Sequence, residues 1–119
     1  MEKLTDIKEM VKLIYHALYD KKAEYIKVID IRNVYVMADY FIVASGDNMN
    51  QLHAMQNEVD KALYEHGVHA KQIEGNRSST WILMDYEDVI VHLFSQEDRL
   101  FYNLEKIWQD GILVDCENL

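Results

Sequence analysis

The 119-residue sequence predicts a mixed α/β (α+β) fold, a five-stranded sheet with flanking helices in the order α-β-β-α-β-β-β-α. Three observations carry this expectation. Apolar stripes at helical spacing alternate along the chain with short runs of strand formers, the pattern of a sheet that carries helices. The chain has no Pro and no Gly/Ser-rich linker, so residues 1–119 are expected to form one domain. Half of the residues are hydrophobic, with two Trp, eight Tyr and three Phe. A chain of this length buries roughly two-thirds of its unfolded surface and needs no staple.

Each element has its own signal. Ile7, Met10, Val11, Ile14 and Leu18 recur at helical spacing behind Asp6 as N-cap, which predicts a helix over 6–20. "YIKVIDI", 25–31, reads as a strand. "DYFIVASG", 39–46, reads as a more deeply buried one, because its apolar run is nearly continuous. Asn48 or Asn50 caps the next helix, 50–66, whose stripe is Leu52, Met55, Val59, Ala62 and Leu63, with Gly67 as its left-handed terminator. "VHAKQIEG", 68–75, reads as the third strand, "NRSS" as a loop, and "WILMDYEDVIVHLF", 81–94, as a hairpin supplying the fourth and fifth. Ser95 and Asp98 have capping-box spacing ahead of Leu100, Phe101, Leu104, Ile107 and Trp108, which predicts a last helix ending before Gly111.

Composition narrows the function classes. Twelve Lys and Arg against 21 Asp and Glu give a net charge of −9. That surface repels phosphate backbones, so sequence-specific nucleic-acid binding is not expected and a basic partner is favoured. The one cysteine, Cys116, makes no internal disulfide, and a reducing cytoplasm is the expected compartment. No apolar run approaches the roughly 20 residues of a membrane span, and "MEKLTDIKEM" has no apolar signal core, so neither membrane nor export is expected. The start lacks a transit peptide, which suits a bacterial protein.

The hairpin carries the most informative residues. With Tyr86 and Glu87 as a two-residue turn, Asp85 pairs with Asp88, Leu83 with Ile90, and Trp81 with His92, all on one face. The other face, Ile82, Met84, Val89, Val91 and Leu93, is wholly apolar and belongs to the core. Like charges directly opposite in a sheet cost up to about 1 kcal/mol, so the face asks for something positive. Three readings are open. Two carboxylates and His92 suit a divalent metal, with Ser45 and Gly46 cradling phosphate in a nucleotidyltransferase-like site; the missing Asp-x-Asp alternation counts against it. The aspartates alternatively punctuate the turn. Or the face docks a basic partner, its aromatics supplying buried area. A self-associating adaptor is a further variant of the last reading. His66 and His69 flank Gly67 without other ligands at suitable spacing, and surface histidines explain them. Arg99, Tyr102 and Lys106 form the outward stripe of the last helix, and Trp108 is assigned to the core.

"ADYFIVASG" at 38–46, "IEG" at 73–75, Trp81, "DYEDVIVHLF" at 85–94 and "RLFYNLEKIW" at 99–108 closely resemble the ribosomal silencing factor family (RsfS, the Iojap-like proteins) over roughly Ile7 to Gly111. The resemblance implies a nucleotidyltransferase-like fold without catalytic residues, no enzymatic activity and no cofactor. It implies binding to the large ribosomal subunit through that subunit's ribosomal protein number fourteen, which obstructs joining of the small subunit and represses translation under nutrient limitation. Members of the family also occur as homodimers. On this resemblance the partner-binding residues are Trp81, Asp85, Tyr86, Asp88, His92, Arg99 and Tyr102. Trp81, Tyr86 and Tyr102 are expected as anchors, Asp85 and Asp88 as acceptors, and Arg99 as orienting the carboxylates or touching the partner. His92 either joins the contact or packs beneath Trp81. The chain departs from the family at Glu87, where Gly is usual; Gly suits a turn residue of positive φ, and Glu is strained there.

Overall fold

A computed structural model of the chain describes residues 7–32, 38–75, 81–95 and 112–114. Helix α1, Ile7–Asp20, buries Met10, Val11, Ile14, Ala17 and Leu18; of the stripe its periodicity implies, Ile7 is only partly buried, and Ala17 is added. It ends where Lys22 takes a left-handed φ of 60° and the Ala23 amide donates back to the Leu18 carbonyl at 3.0 Å. Strand β1, Glu24–Asp30, follows, with an irregularity between Glu24 and Lys27 that holds Tyr25 at φ 52°. Strand β2 is Tyr40–Gly46. Helix α2, Met49–Tyr64, begins at Asn48, whose side chain accepts from the Gln51 amide. It buries Leu52, Met55, Val59 and Leu63. Gly67, at φ 78°, then reverses the chain, and the Val68 amide returns to the Leu63 carbonyl at 2.9 Å. Among the described residues no helix is long and apolar enough to cross a membrane.

Strands β3, Gln72–Glu74, β4, Trp81–Asp85, and β5, Val89–Ser95, are joined by β6, Ile112–Val114, in one six-stranded sheet of order β3-β4-β5-β2-β1-β6. The five strands expected from sequence are present, although the third is shorter than 68–75. The sixth was not foreseen: its three residues follow Gly111, where the sequence has no alternation long enough to signal a strand. Pairing is antiparallel except between β2 and β5. That parallel pair lies at the sheet centre, which explains why β2 is buried along almost its whole length. The C-terminal helix expected over 95–110, with Arg99, Tyr102 and Trp108, lies outside the described residues.

Both helices pack on one face of the sheet. The main core joins their buried stripes to Val28, Tyr40, Ile42, Ala44, Ile82, Met84, Tyr86, Val89, Val91 and Leu93. The opposite face carries a second cluster, Ile29, Ile31, Ala38, Val43 and Phe94, with Phe41 and Ile90 packed against it. Alternation along β4 and β5 therefore divides the hairpin as its sequence implies, with one face wholly core.

Candidate functional site

The register of the hairpin differs from the sequence-based pairing. Trp81 lies opposite Phe94, Leu83 opposite His92, and Asp85 opposite Ile90. Asp85 and Asp88 are thus not a cross-strand pair. The physical reason lies in Tyr86, which extends the core face: it is 4% exposed, and its amide donates to the Val89 carbonyl at 3.0 Å. The loop between this pair is Glu87 and Asp88. Glu87 sits at φ 68° while the Asp88 amide donates to the Tyr86 carbonyl at 2.8 Å, a γ-turn geometry centred on a glutamate. The positive φ that makes Gly suitable here is real. Because the slip is two residues, every side chain keeps its face.

Tyr86 is accordingly placed where no partner reaches its ring, contrary to the anchor role expected of it. Its hydroxyl donates to Asp60 Oδ1 at 3.2 Å, and burial, reinforced by the Asp60 carboxylate, pushes its pKa well above the ordinary tyrosine value. Asp85 closes the turn by accepting the Glu87 amide at 2.8 Å, so punctuation is one of its functions. The Asp88 carbonyl accepts from the amides of Asp39 and Tyr40, at 2.8 and 3.1 Å. This docks the turn beside the start of β2 and gathers Asp39, Asp85, Glu87 and Asp88 at one end of the sheet. Asp30, at the end of β1, is satisfied separately: its side-chain hydrogen bonds with Arg32, the shortest 2.6 Å, hold its pKa below the usual carboxylate range.

On the outer face, Trp81 is 37% exposed and His92, beneath it, only 8%. Their ring planes are parallel within 1° at a centroid separation of 6.3 Å. Phe94 lies near-parallel to His92 at 6.0 Å, and Phe41 meets it edge-on at 5.3 Å. Neither imidazole nitrogen has a hydrogen-bond partner among the described residues. Burial pushes the His92 pKa down to about 4, so the ring is neutral near pH 7. In the free chain His92 packs beneath Trp81. Phe41 and Phe94 were missed as site residues. The Phe94 signal lay in strand alternation, obscured by the register; Phe41 became a neighbour only through the parallel β2–β5 pairing.

The phosphate-cradle reading of Ser45 and Gly46 meets a filled space. The Gln51 side chain folds back over the loop, its Oε1 accepting the Asp47 amide at 2.6 Å and its Nε2 donating to the Lys21 and Lys22 carbonyls at 3.2 and 2.8 Å. A Cβ on Gly46 would come within 3.1 Å of Gln51 Oε1. The helix start thus has its Asp47 and Gln51 amides bonded internally, and the loop carries an aspartate that repels anions. Among the described residues no three His, Cys, Asp or Glu side chains converge as metal ligands; His69 instead meets the Tyr64 ring edge-on at 4.9 Å.

This arrangement, an apolar face ending in an exposed indole and a carboxylate rim, coincides with a match between residues 4–119 and the family described as "Ribosomal silencing factor during starvation". The chain belongs to the ribosomal silencing factor family. It is 35% identical over 111 residues to the ribosomal silencing factor RsfS of Halalkalibacterium halodurans, an alignment spanning 93% of this chain and 95% of that protein. A crystal structure of a Chromobacterium violaceum protein superposes with a TM-score of 0.84 at 35% identity, covering 88% of each chain. A mouse relative named "Mitochondrial assembly of ribosomal large subunit protein 1" is 30% identical over 82% of this chain and 44% of its own length. The silencing-factor fold is therefore shared, and the hairpin "DYEDVIVHLF" that carried the resemblance lies inside the matched region.

Proposed function

We propose that this chain docks on the large ribosomal subunit through the outer face and acidic tip of the β4–β5 hairpin. The landing site is the subunit's ribosomal protein number fourteen, and the bound factor blocks joining of the small subunit, repressing translation when nutrients are scarce. The observation that carries this reading is one hairpin holding an exposed indole, Trp81, on the face that ends at Asp85, Glu87 and Asp88, with Asp39 alongside. An indole contributes buried area at low entropic cost, and a carboxylate rim meets lysine and arginine of a basic protein. A chain of net charge −9 is repelled by surrounding RNA, which suppresses docking elsewhere on the particle. The mouse relative's name, with its large ribosomal subunit, supports the same partner.

The mechanism is occupancy. Two bodies cannot share one face, so inhibition follows from concentration and affinity, tenfold for every 1.4 kcal/mol or so. The sheet serves as a nucleotidyltransferase-like scaffold without its chemistry, a reading supported by the Gln51 side chain, which folds over the loop after Gly46. The factor works in the cytoplasm without a cofactor. Arg99 and Tyr102 extend the contact from the segment that follows β5. A homodimer that covered Trp81 would have to open before docking. The test is co-sedimentation with purified large subunits, with a parallel assay of subunit joining. Co-sedimentation with large and not small subunits supports the reading, and failure to pellet with large subunits refutes it.

A further inference from the structure

His92 poses a problem of its own. It occupies a position on a sheet face where its neighbours are Val43, Leu83, Phe41, Phe94 and Trp81, and a leucine or phenylalanine would satisfy every one of them. The imidazole instead buries two polar nitrogens that have no partner among the described residues. Leaving a buried polar group unpaired costs on the order of 1–3 kcal/mol. Such a group is explained when another state of the molecule supplies the missing bond.

We propose that His92 is the hydrogen-bond acceptor for a lysine or arginine side chain of the docked partner, which reaches it as the partner displaces the exposed indole of Trp81 and then lies beside the rings of Phe94 and Phe41. This rests on the docking reading above and names the chemistry of its central contact. Three features select a cation over a neutral donor. The rings around the imidazole offer π faces, to which an ammonium or guanidinium is drawn within about 6 Å of a centroid. A neutral imidazole has one acceptor nitrogen, and an ammonium or guanidinium group is all donors. Asp85, two residues along the strand from Leu83 on the same face, supplies the balancing charge. Trp81 is the first residue of β4 and the exposed member of the stack, so the indole is the side chain a partner meets first.

Affinity for purified large subunits is measured for the wild type and for His92→Phe, His92→Leu and His92→Gln, with thermal melting of each. The expected result is a loss of about tenfold or more for Phe and Leu, at a melting temperature no lower than wild type, and partial recovery with Gln, whose amide oxygen restores an acceptor. Should the Phe variant fail to fold, the Leu and Gln pair gives the same comparison. In the free protein, ethylguanidinium chloride is expected to shift the His92 ring nitrogen resonances where its neutral analogue ethylurea does not. Wild-type affinity for the Phe and Leu variants overturns the proposal while leaving docking intact. Equal effects of the two small probes, or none from either, overturn the cationic partner. Absence of wild-type binding removes the docking reading itself, and this proposal with it.

Discussion

Acid should destabilise this protein through His92, and replacing that residue should remove the effect. The imidazole has an ordinary pKa of 6.5 when the chain is unfolded and about 4 when buried under Trp81. The unfolded chain therefore binds a proton that the folded chain refuses, and stability held above pH 6.5 is lost as the pH falls towards 4. Between those values the loss accrues at about 1.4 kcal/mol per pH unit, which amounts to about 2 kcal/mol by pH 5 and about 3 kcal/mol in full. Urea unfolding of the wild type and His92→Leu at intervals from pH 7.5 to 4.5 measures it. Carboxylates such as Asp30 titrate in both proteins, so their shares cancel in the difference. The variant should gain steadily on the wild type below pH 6.5. A difference that stays flat from pH 7.5 to 5 would refute the inference that the ring is buried, neutral and unpaired.

Other outcomes follow from the hairpin. Glu87→Gly should stabilise the fold by about 0.5 kcal/mol in thermal melts, because relief of a left-handed φ outweighs the added freedom of the unfolded chain; a loss of stability would contradict the turn geometry. Tyr86→Phe should cost about 1 kcal/mol, since it deletes the hydrogen bond to Asp60, yet leave large-subunit affinity unchanged because the ring faces the core. Asp88→Lys should weaken large-subunit binding about tenfold or more, whereas the same charge reversal at Asp20, at the end of α1 beside the start of α2 and so at the opposite end of the sheet from the turn, should change it less than about twofold; equal effects would mean that charge acts without regard to place.

Much of this architecture was legible because its elements obey simple periods. The stripe from Met10 to Leu18 and that from Leu52 to Leu63 each repeat at helical spacing, and both helices lie with those stripes on the sheet. The continuous apolar run of β2 announced a strand covered on both faces, and it became a central one paired in parallel. Faces of the hairpin were readable for the same reason, since a period of two survives an error of two in register. The register itself was not, because it depends on Tyr86 closing a pair with Val89 and on Glu87 accepting a left-handed φ, a conformation for which its residue type carries no signal. Tyr86 was likewise misplaced: an aromatic beside charged turn residues resembles an anchor until its partner, Asp60 from a distant helix, is in view. The ring contact of His92 with Phe41 depends on β2, which ends at Gly46, meeting β5, which begins at Val89, across the intervening helix and strands, which no local pattern encodes.

Subunit joining measured by light scattering tests the central claim most directly. Purified large and small ribosomal subunits are mixed with increasing amounts of this protein, then with the Asp88→Lys variant. The account predicts that the wild type holds the subunits apart in a saturable manner and that the variant requires about tenfold more protein for the same effect. Joining that proceeds unhindered at protein in excess over large subunits would contradict it.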